Sequence, residues 1–358
     1  MRIIPFHNIS QKEWDSFADK SSSSCLYHKT SFINRYKVKR NISFAVIDPS
    51  QKEEILAICP LFILHEKRVI SNIFKRPFLK AFLKITNKYK TRYITTDNYG
   101  PSLIDTTPKR RKKIEKFLFQ HLDDEAKKNK ATRLEVNLDI SQNIKNNYNP
   151  LWNYGFFKFS FFMPRLAAVI DLTKDENDIL MEMDEDCRSA IRKAQRGDFK
   201  VEIGDSNEMS ERFFNLFADT QTRLSGKKYS TPFEIFQKQF ATKDSENKSS
   251  ISFIIIKHND EDVSGVALQL YKDWATYFRA GNKQEYFKYR VNNLALWEGI
   301  RHAKELGYKK FNVGVVYPVR PDSDNYSPGD VKEYTTGEYK KQFSKNLYPI
   351  YSGVKLYK

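Results

Sequence analysis

The sequence predicts an α/β (α+β) protein built from two tandem domains of similar design. Three observations lead to this prediction: the chain has 358 residues, 40% of them are hydrophobic, and each half shows a similar order of strands and helices. A single hydrophobic core seldom grows much beyond about 300 residues, and this composition supplies apolar material for two cores. We expect a first domain over residues 1–160 and a second over residues 161–358.

The first half alternates short strands with amphipathic helices. Ser10 and the pair Thr107-Pro108 have the side chains that commonly begin helices. Strands are predicted around 3–4, 42–47, 55–64, 93–94 and 134–138, and helices around Trp14, Phe32 and 114–122.

The second half begins with a predicted capping box of Thr173 and Glu176, ahead of a helix that Gly197 ends. Further helices are predicted through Phe213 and after Thr231-Pro232. Three strands at 251–256, 266–271 and 275–279 form a meander, with turns at 259–260 and 272–273. A last helix ends at Gly307 and returns as a strand over 311–316.

The closing helix and strand repeat in register. Ala126 precedes Leu134 by the same step by which Ala303 precedes Phe311, and internal duplication is the economical explanation. A strand, two helices, a three-strand meander, a helix and a strand form the order of an acetyltransferase-type unit. The sequence therefore predicts two tandem GNAT-like domains, which bind a donor or acceptor where central strands separate.

The formal charge of +17 indicates attraction to a polyanion such as RNA, anionic lipid or a diphosphate-bearing substrate. A bias towards Lys, Asn and Ile would produce the same excess, and we expect no DNA partner. The three cysteines have no CxxC spacing, so neither a disulfide framework nor a metal site is predicted. Without an apolar leader or a membrane-spanning run, the expected location is cytoplasmic.

Several motifs of the second half carry a family resemblance. They are Asp171-Leu172 through Gly197, 220–223, 277–281, 296–308 and 337–343, with weaker support from 60–62 and 99–102. In this order they resemble the FemA/FemB/FemX aminoacyltransferases and their BioF2-like relatives.

Two features distinguish the chain within that resemblance. The family commonly has an Asp and two glycines where this chain has Asn312-Val313-Gly314-Val315. The residues between Thr231 and Ile251 leave no room for the helical arm of some members, which favours the arm-less FemX-like subset.

The resemblance implies an acyltransferase that acylates an amine of a peptidoglycan or other cell-envelope precursor, nucleotide-linked or lipid-linked. It implies aminoacyl-tRNA as donor and no tightly bound cofactor. One alternative is an acyl-CoA-dependent N-acyltransferase acting on an envelope or capsule sugar. Another is a non-catalytic basic protein that binds RNA or membrane.

The family's late Phe-Lys pair, which stabilises charge near the donor carbonyl, corresponds here to Tyr339-Lys340. Without the resemblance, Lys340 would be interpreted as an ordinary exposed lysine. Arg223 and Tyr277 fall where the family binds its acceptor, and a guanidinium with a phenol suits phosphate and carboxylate groups. A helix-end ion pair and a strand residue at the core's edge are the alternatives for these two.

Four further cations are candidates for substrate binding. Arg35 or Lys37 could complete the acceptor site, and Arg188 and Arg192 lie one turn apart on a predicted helix face. Asp184 offers the last two a simple ion pair instead.

Two other patterns were considered. His258 and Asp262 have the HxxxD spacing of another acyltransferase class but fall in a polar hairpin. The acidic triplets at 184–186 and 322–324 are weak metal-binding patterns, more typical of solvated surfaces.

Residues 67–92 hold nine Lys or Arg, no acidic residue, and interleaved apolar residues. This basic amphipathic pattern predicts either a helix that lies on an anionic membrane or a buried helix with a solvated face. The first interpretation would place the protein at the inner face of the membrane.

Overall fold

The computed structural model describes residues 1–34, 40–51, 53–67, 90–96, 99–143, 149–157, 165–237, 251–318 and 328–357. It divides into two compact units, Met1–Phe162 with Ile350–Lys358 and Met163–Pro349. Arg35, Lys37 and residues 68–89 of the predicted basic helix lie outside the described residues. Within the described residues no helix is long and apolar enough to cross a membrane.

The described strands and helices follow in chain order. The strands are β1 Arg2–Pro5, β2 Arg40–Asn41, β3 Phe44–Asp48, β4 Glu54–Cys59, β5 Phe62–Lys67, β6 Lys90–Thr95, β7 Ser102–Leu103, β8 Arg133–Asn137, β9 Leu166–Asp171, β10 Lys200–Gly204, β11 Ile251–His258, β12 Glu261–Tyr271, β13 Trp274–Asn282, β14 Lys310–Val316, β15 Leu347–Pro349 and β16 Ser352–Leu356. The helices are α1 Gln11–Lys20, α2 Thr30–Ile33, α3 Pro108–Lys128, α4 Ile140–Asn143, α5 Glu176–Glu182, α6 Glu185–Gln195, α7 Asn207–Ser225, α8 Phe233–Gln237, α9 Val291–Glu305 and α10 Pro328–Lys341.

The first unit has two sheets, ordered β1-β3-β4-β7 and β16-β8-β6-β5-β2. Ser10 begins α1 as predicted, in a capping box with Glu13, and Thr107 begins α3. The apolar stripe of α3, from Ile114 to Ala126, packs on the core beside Leu134 and Val136 of β8. The amphipathic period of this helix and the alternation of β8 thus meet in one core.

The second unit has one sheet, ordered β10-β11-β12-β13-β14-β9-β15. The predicted meander is confirmed: β11, β12 and β13 pair in antiparallel fashion, and Asn259 and Asp260 both have positive φ in the first turn. Leu294, Trp297 and Ile300 of α9 lie in the core with Phe311 of β14. The order predicted for an acetyltransferase-type unit is therefore present.

Three details differ from the expectations. The single helix predicted at the start of the second unit is two helices, because α5 ends at Glu182 and α6 begins at Glu185. The predicted capping box is wrong, because Asp175 is the N-cap and the Thr173 hydroxyl donates to Asp171. The end of the chain belongs to the first unit, because β16 pairs with β8. The predicted boundary had put residues 350–358 in the second domain.

Candidate active site

β13 and β14 run side by side in the second unit and then stop pairing. They form a parallel pair over Trp274–Thr276 and Lys310–Asn312, although both strands, described throughout, continue further. At this point β14 shifts its register against β9, between Asn312 and Gly314. Gly314 has φ +112° and donates its N–H to Asn312 Oδ1 at 2.9 Å. Such a bulge bends its strand, so the strands open beside Gly314.

Lys340 reaches this opening from the last turn of α10. The helix lies close to β14, because a Cβ at Gly337 would stand 3.2 Å from the Val316 Cα atom. One turn further along, Lys340 extends to Gly314, where a Cβ would stand 2.9 Å from Nζ. Gly337 therefore allows α10 to approach β14, and Gly314 leaves the space in which the lysine side chain lies.

The Lys340 ammonium lies over the ring of Tyr277 on β13, with Nζ 5.7 Å from the ring centroid. A cation over an aromatic face is held by the ring's quadrupole. Burial raises the pKa of the Tyr277 phenol to about 12, so the ring stays neutral at physiological pH. The structure thus brings together two residues that the sequence named separately, one for the donor carbonyl and one for the acceptor.

Tyr339 has a different environment from its neighbour. Its hydroxyl donates to the Asn292 carbonyl oxygen at 3.2 Å, and its ring packs edge-on against Phe343 at 5.4 Å. Burial raises the pKa of this phenol well above its ordinary value. The hydrogen bond to Asn292 joins α10 to the first turn of α9, next to Lys340. A catalytic role for Tyr339 itself stays a prediction.

Arg223 lies at the end of α7, which is attached to the end of β13. The Thr220 hydroxyl accepts from the Asn282 N–H at 2.8 Å and donates to the Asn282 carbonyl at 3.1 Å. Tyr277 and Asn282 are separated by about 16 Å of extended strand. The exposed Arg223 guanidinium stacks over Phe287 at 5.0 Å. Asn282 lies on the side towards which β13 leaves β14, and a role of Arg223 in acceptor binding stays a prediction.

Arg188 and Arg192 both lie on α6. Arg188 donates to the carbonyl oxygens of Met181 and Met183, at the break between α5 and α6, and Arg192 is exposed. In the part of the chain that the structure describes, neither forms the ion pair with Asp184. Arg188 thus satisfies helix-end carbonyls, and substrate binding by either arginine stays a prediction.

The HxxxD pattern does not form a reactive pair. Arg212 holds both oxygens of Asp262, at 2.9 Å and 2.7 Å, while the His258 ring packs beside Phe199 and Tyr286. Among the described residues, no three His, Cys, Asp or Glu side chains are grouped as a metal would require.

Sequence reasoning did not identify the residues that shape the opening. Gly314 leaves room for the Lys340 side chain, and Gly337 allows α10 to approach β14. The Asn292 carbonyl oxygen accepts a hydrogen bond from the Tyr339 hydroxyl. Gly314 follows the position where the family has its Asp, and Asn312 there accepts the Gly314 N–H. That bond needs only an oxygen acceptor, which an amide supplies as a carboxylate would. A glycine inside a strand pattern was the available signal for a bulge.

Residues 182–336 match the family model described as "Acetyltransferase (GNAT) domain". The match covers less than half of the chain, and with the fold of the second unit it supports an acyltransferase with a GNAT-type domain there. No curated protein is significantly similar to the chain in sequence.

Solved structures share the fold over nearly the whole chain. A crystal structure of FemX has a TM-score of 0.69 at 14% identity, covering 100% of this chain and 98% of that one. The structure of L-PGS from Bacillus licheniformis has a TM-score of 0.56 at 10% identity, covering 96% and 91%. The C-terminal domain of a putative lysylphosphatidylglycerol synthetase from Agrobacterium fabrum has a TM-score of 0.55 at 11% identity, covering 96% and 90%. The predicted resemblance to FemX is thus confirmed in the fold.

Proposed function

We propose that the chain transfers an aminoacyl group from aminoacyl-tRNA to an amine of a peptidoglycan or other cell-envelope precursor. The observation that carries this proposal is the Lys340 ammonium beside Gly314, where β13 and β14 separate. A fold shared with FemX and with lysylphosphatidylglycerol synthetases supports the aminoacyl donor and the envelope acceptor.

The reaction needs no side-chain nucleophile. The acceptor's unprotonated amine attacks the ester carbonyl of the donor, the new C–N bond forms, and the ester C–O bond breaks. The amine's proton ends on the hydroxyl of the released tRNA ribose. Between these events the carbonyl oxygen carries negative charge, which a preorganised cation stabilises. We assign that role to Lys340, whose partly buried ammonium lies over the Tyr277 ring.

We place this reaction in the cytoplasm, with the enzyme acting on a nucleotide-linked or lipid-linked precursor at or near the inner face of the membrane. The donor binds as a substrate and leaves after each turnover, so no tightly bound cofactor is proposed. The net charge of +17 favours the approach of both polyanionic substrates.

The family model favours one alternative donor. Its description names an acetyltransferase, which fits an acyl-CoA-dependent N-acyltransferase acting on an envelope or capsule sugar. The same Lys340 would stabilise the oxyanion of a thioester, and CoA thiol would be the leaving group.

A donor screen distinguishes these functions. Purified protein is incubated with radiolabelled aminoacyl-tRNA pools or acyl-CoA pools, with and without nucleotide-linked envelope precursors. We expect deacylation of tRNA that depends on the precursor, with label recovered on its amine. Release of CoA thiol instead would assign the alternative donor. Turnover with neither pool would leave a basic RNA- or membrane-binding protein as the remaining function.

A further inference from the structure

Exposed cationic and apolar side chains follow one another at the end of α7 and again in the segment before α9. The link between the two segments is Arg223, whose guanidinium is 5.0 Å from the Phe287 ring centroid. After α7 the chain turns back, because the Tyr229 N–H donates to the Thr222 hydroxyl at 3.0 Å. The side chains of this Phe287 surface, all exposed, are Arg223, Leu224, Lys227, Lys228, Phe287 and Lys288.

The four cations of the Phe287 surface outnumber the acidic side chain of the same two segments, Glu285. In the ranges that the structure describes, none of Arg223, Lys227, Lys228 and Lys288 has an ion-pair partner. Elsewhere in the same unit the chain pairs such groups, as where Arg212 holds Glu202 and Asp262. A cluster of uncompensated cations is costly by self-repulsion and attracts an anionic surface.

Two apolar side chains are exposed among these cations. Leu224 is 46% exposed and Phe287 is 39% exposed. Phosphate binding would explain the lysines but neither apolar side chain. Stacking of a nucleic-acid base would use Phe287, but Leu224 offers no aromatic face and no hydrogen bond. An anionic bilayer accounts for all six residues, since cations meet headgroup phosphates while leucine and phenylalanine enter the acyl boundary.

We propose that the Phe287 surface docks the second unit on an anionic lipid bilayer. The inference goes beyond the proposed function, because a docking surface requires no particular acyl donor. It also differs from membrane binding by the basic segment at 67–92, since every residue of this surface belongs to the second unit.

Vesicle co-sedimentation tests the surface directly. The full chain is sedimented at low salt with vesicles of phosphatidylglycerol and phosphatidylcholine, and with vesicles of phosphatidylcholine alone. One variant is K227Q/K228Q/K288Q and a second is Leu224→Ser with Phe287→Ser. Arg223 is kept, because a role in substrate binding is predicted for it. The control, K109Q/K112Q/K113Q, removes the same charge from exposed α3 lysines that the structure shows without ion pairs.

We expect the wild type and the control to bind the anionic vesicles with affinities within about threefold of each other. Each surface variant should lose at least about tenfold. Leu224→Ser alone should also weaken binding, which keeps the test valid if the double variant folds poorly. Salt should release the wild type, because these contacts are screened.

Three results would overturn the proposal. Surface variants that sediment like the wild type would exclude a role for these residues, and an equal loss in the control would show an effect of net charge alone. Unchanged vesicle binding with lost binding to a labelled tRNA would assign the surface to polynucleotide. Turnover of water-soluble substrates is measured separately, so a failure of the proposed transfer reaction leaves the vesicle result interpretable.

Discussion

The two units contain the same parallel strand pair and differ at the next residue. β6 pairs with β8 over Tyr93–Thr95 and Arg133–Glu135, as β13 pairs with β14 over Trp274–Thr276 and Lys310–Asn312. In each unit the second strand follows a long helix, α3 or α9. This register equates Thr96 with Tyr277 and Asn137 with Gly314.

The backbone N–H groups of Asn137 and Gly314, which are equivalent, have different hydrogen-bond partners. In the first unit the Asn137 N–H donates across the pair to the hydroxyl of the fully buried Thr96, at 3.1 Å. In the second unit the Gly314 N–H donates within its own strand to Asn312, and Lys340 lies between the strands' ends. The same strand pair is therefore closed by a hydrogen bond in the first unit, whereas in the second unit a lysine ammonium lies where the strands separate. We expect transfer chemistry in the second unit alone.

The largest expected effect comes from removing the cation. Lys340→Met should lower kcat about a hundredfold or more, because loss of one oxyanion-stabilising group has that cost. The melting temperature should change little, since the side chain lies at the edge of the core. Steady-state kinetics and calorimetry measure the two.

Lys341→Met is the matched control, because this exposed neighbour pairs only loosely with Glu338, at 3.8 Å. Its kcat should stay near that of the wild type. Activity of Lys340→Met within about threefold of the wild type would remove Lys340 from the mechanism.

The next effect concerns the space for that lysine. Gly314→Ala places a Cβ 2.9 Å from Lys340 Nζ at a residue with φ +112°. We expect kcat to fall about tenfold as the ammonium moves and stability to fall by about 1–3 kcal/mol from backbone strain.

Gly307→Ala separates the two causes, because Gly307 also has a positive φ, +84°, but nothing within 4 Å of its Cβ position. It should lose stability and keep kcat. If both variants keep kcat, Gly314 serves the backbone and not the lysine.

The sequence predicted what depends on local chemistry. The cap at Ser10 and the turn at Asn259-Asp260 follow from side chains that bond their own backbone or tolerate positive φ. The break between α5 and α6 was missed, because it relies on Arg188, which bonds the Met181 and Met183 carbonyls from the following helix.

The candidate site was predictable as a set of residues but not as a geometry. Tyr277 and Lys340 were both named from family motifs, whereas their contact depends on the packing of α10 against β14. Arg223 was grouped with them, yet α7 attaches at the far end of β13 through Thr220. Sequence order carries no information on which end of a strand another helix contacts.

A smaller effect tests the first unit's closed position. Thr96→Val keeps the side-chain shape and removes the hydroxyl that accepts from Asn137. The free energy of unfolding should fall by about 1–2 kcal/mol, with kcat unchanged, while Thr96→Ser should retain most of the stability. Denaturant titration gives the first quantity. A loss of kcat in a folded Thr96→Val protein would show that the first unit contributes to transfer.

The smallest effect is a pH dependence that both units share, through half-buried histidines on their corresponding helices. Burial lowers the pKa of His121 on α3 and of His302 on α9, where Nε2 lies 3.1 Å from the Ser252 hydroxyl. In the unfolded chain each takes up a proton near pH 6.5, so below that pH the unfolded state binds more protons. Stability should therefore be constant above pH 6.5 and fall as the pH drops below it, by at most about 1.4 kcal/mol per pH unit for each histidine.

Denaturant unfolding at pH 7.5, 6.5 and 5.5 should show a shallower decline for His121→Gln and for His302→Gln than for the wild type. An unchanged decline in either variant would mean that its histidine ionises alike in both states.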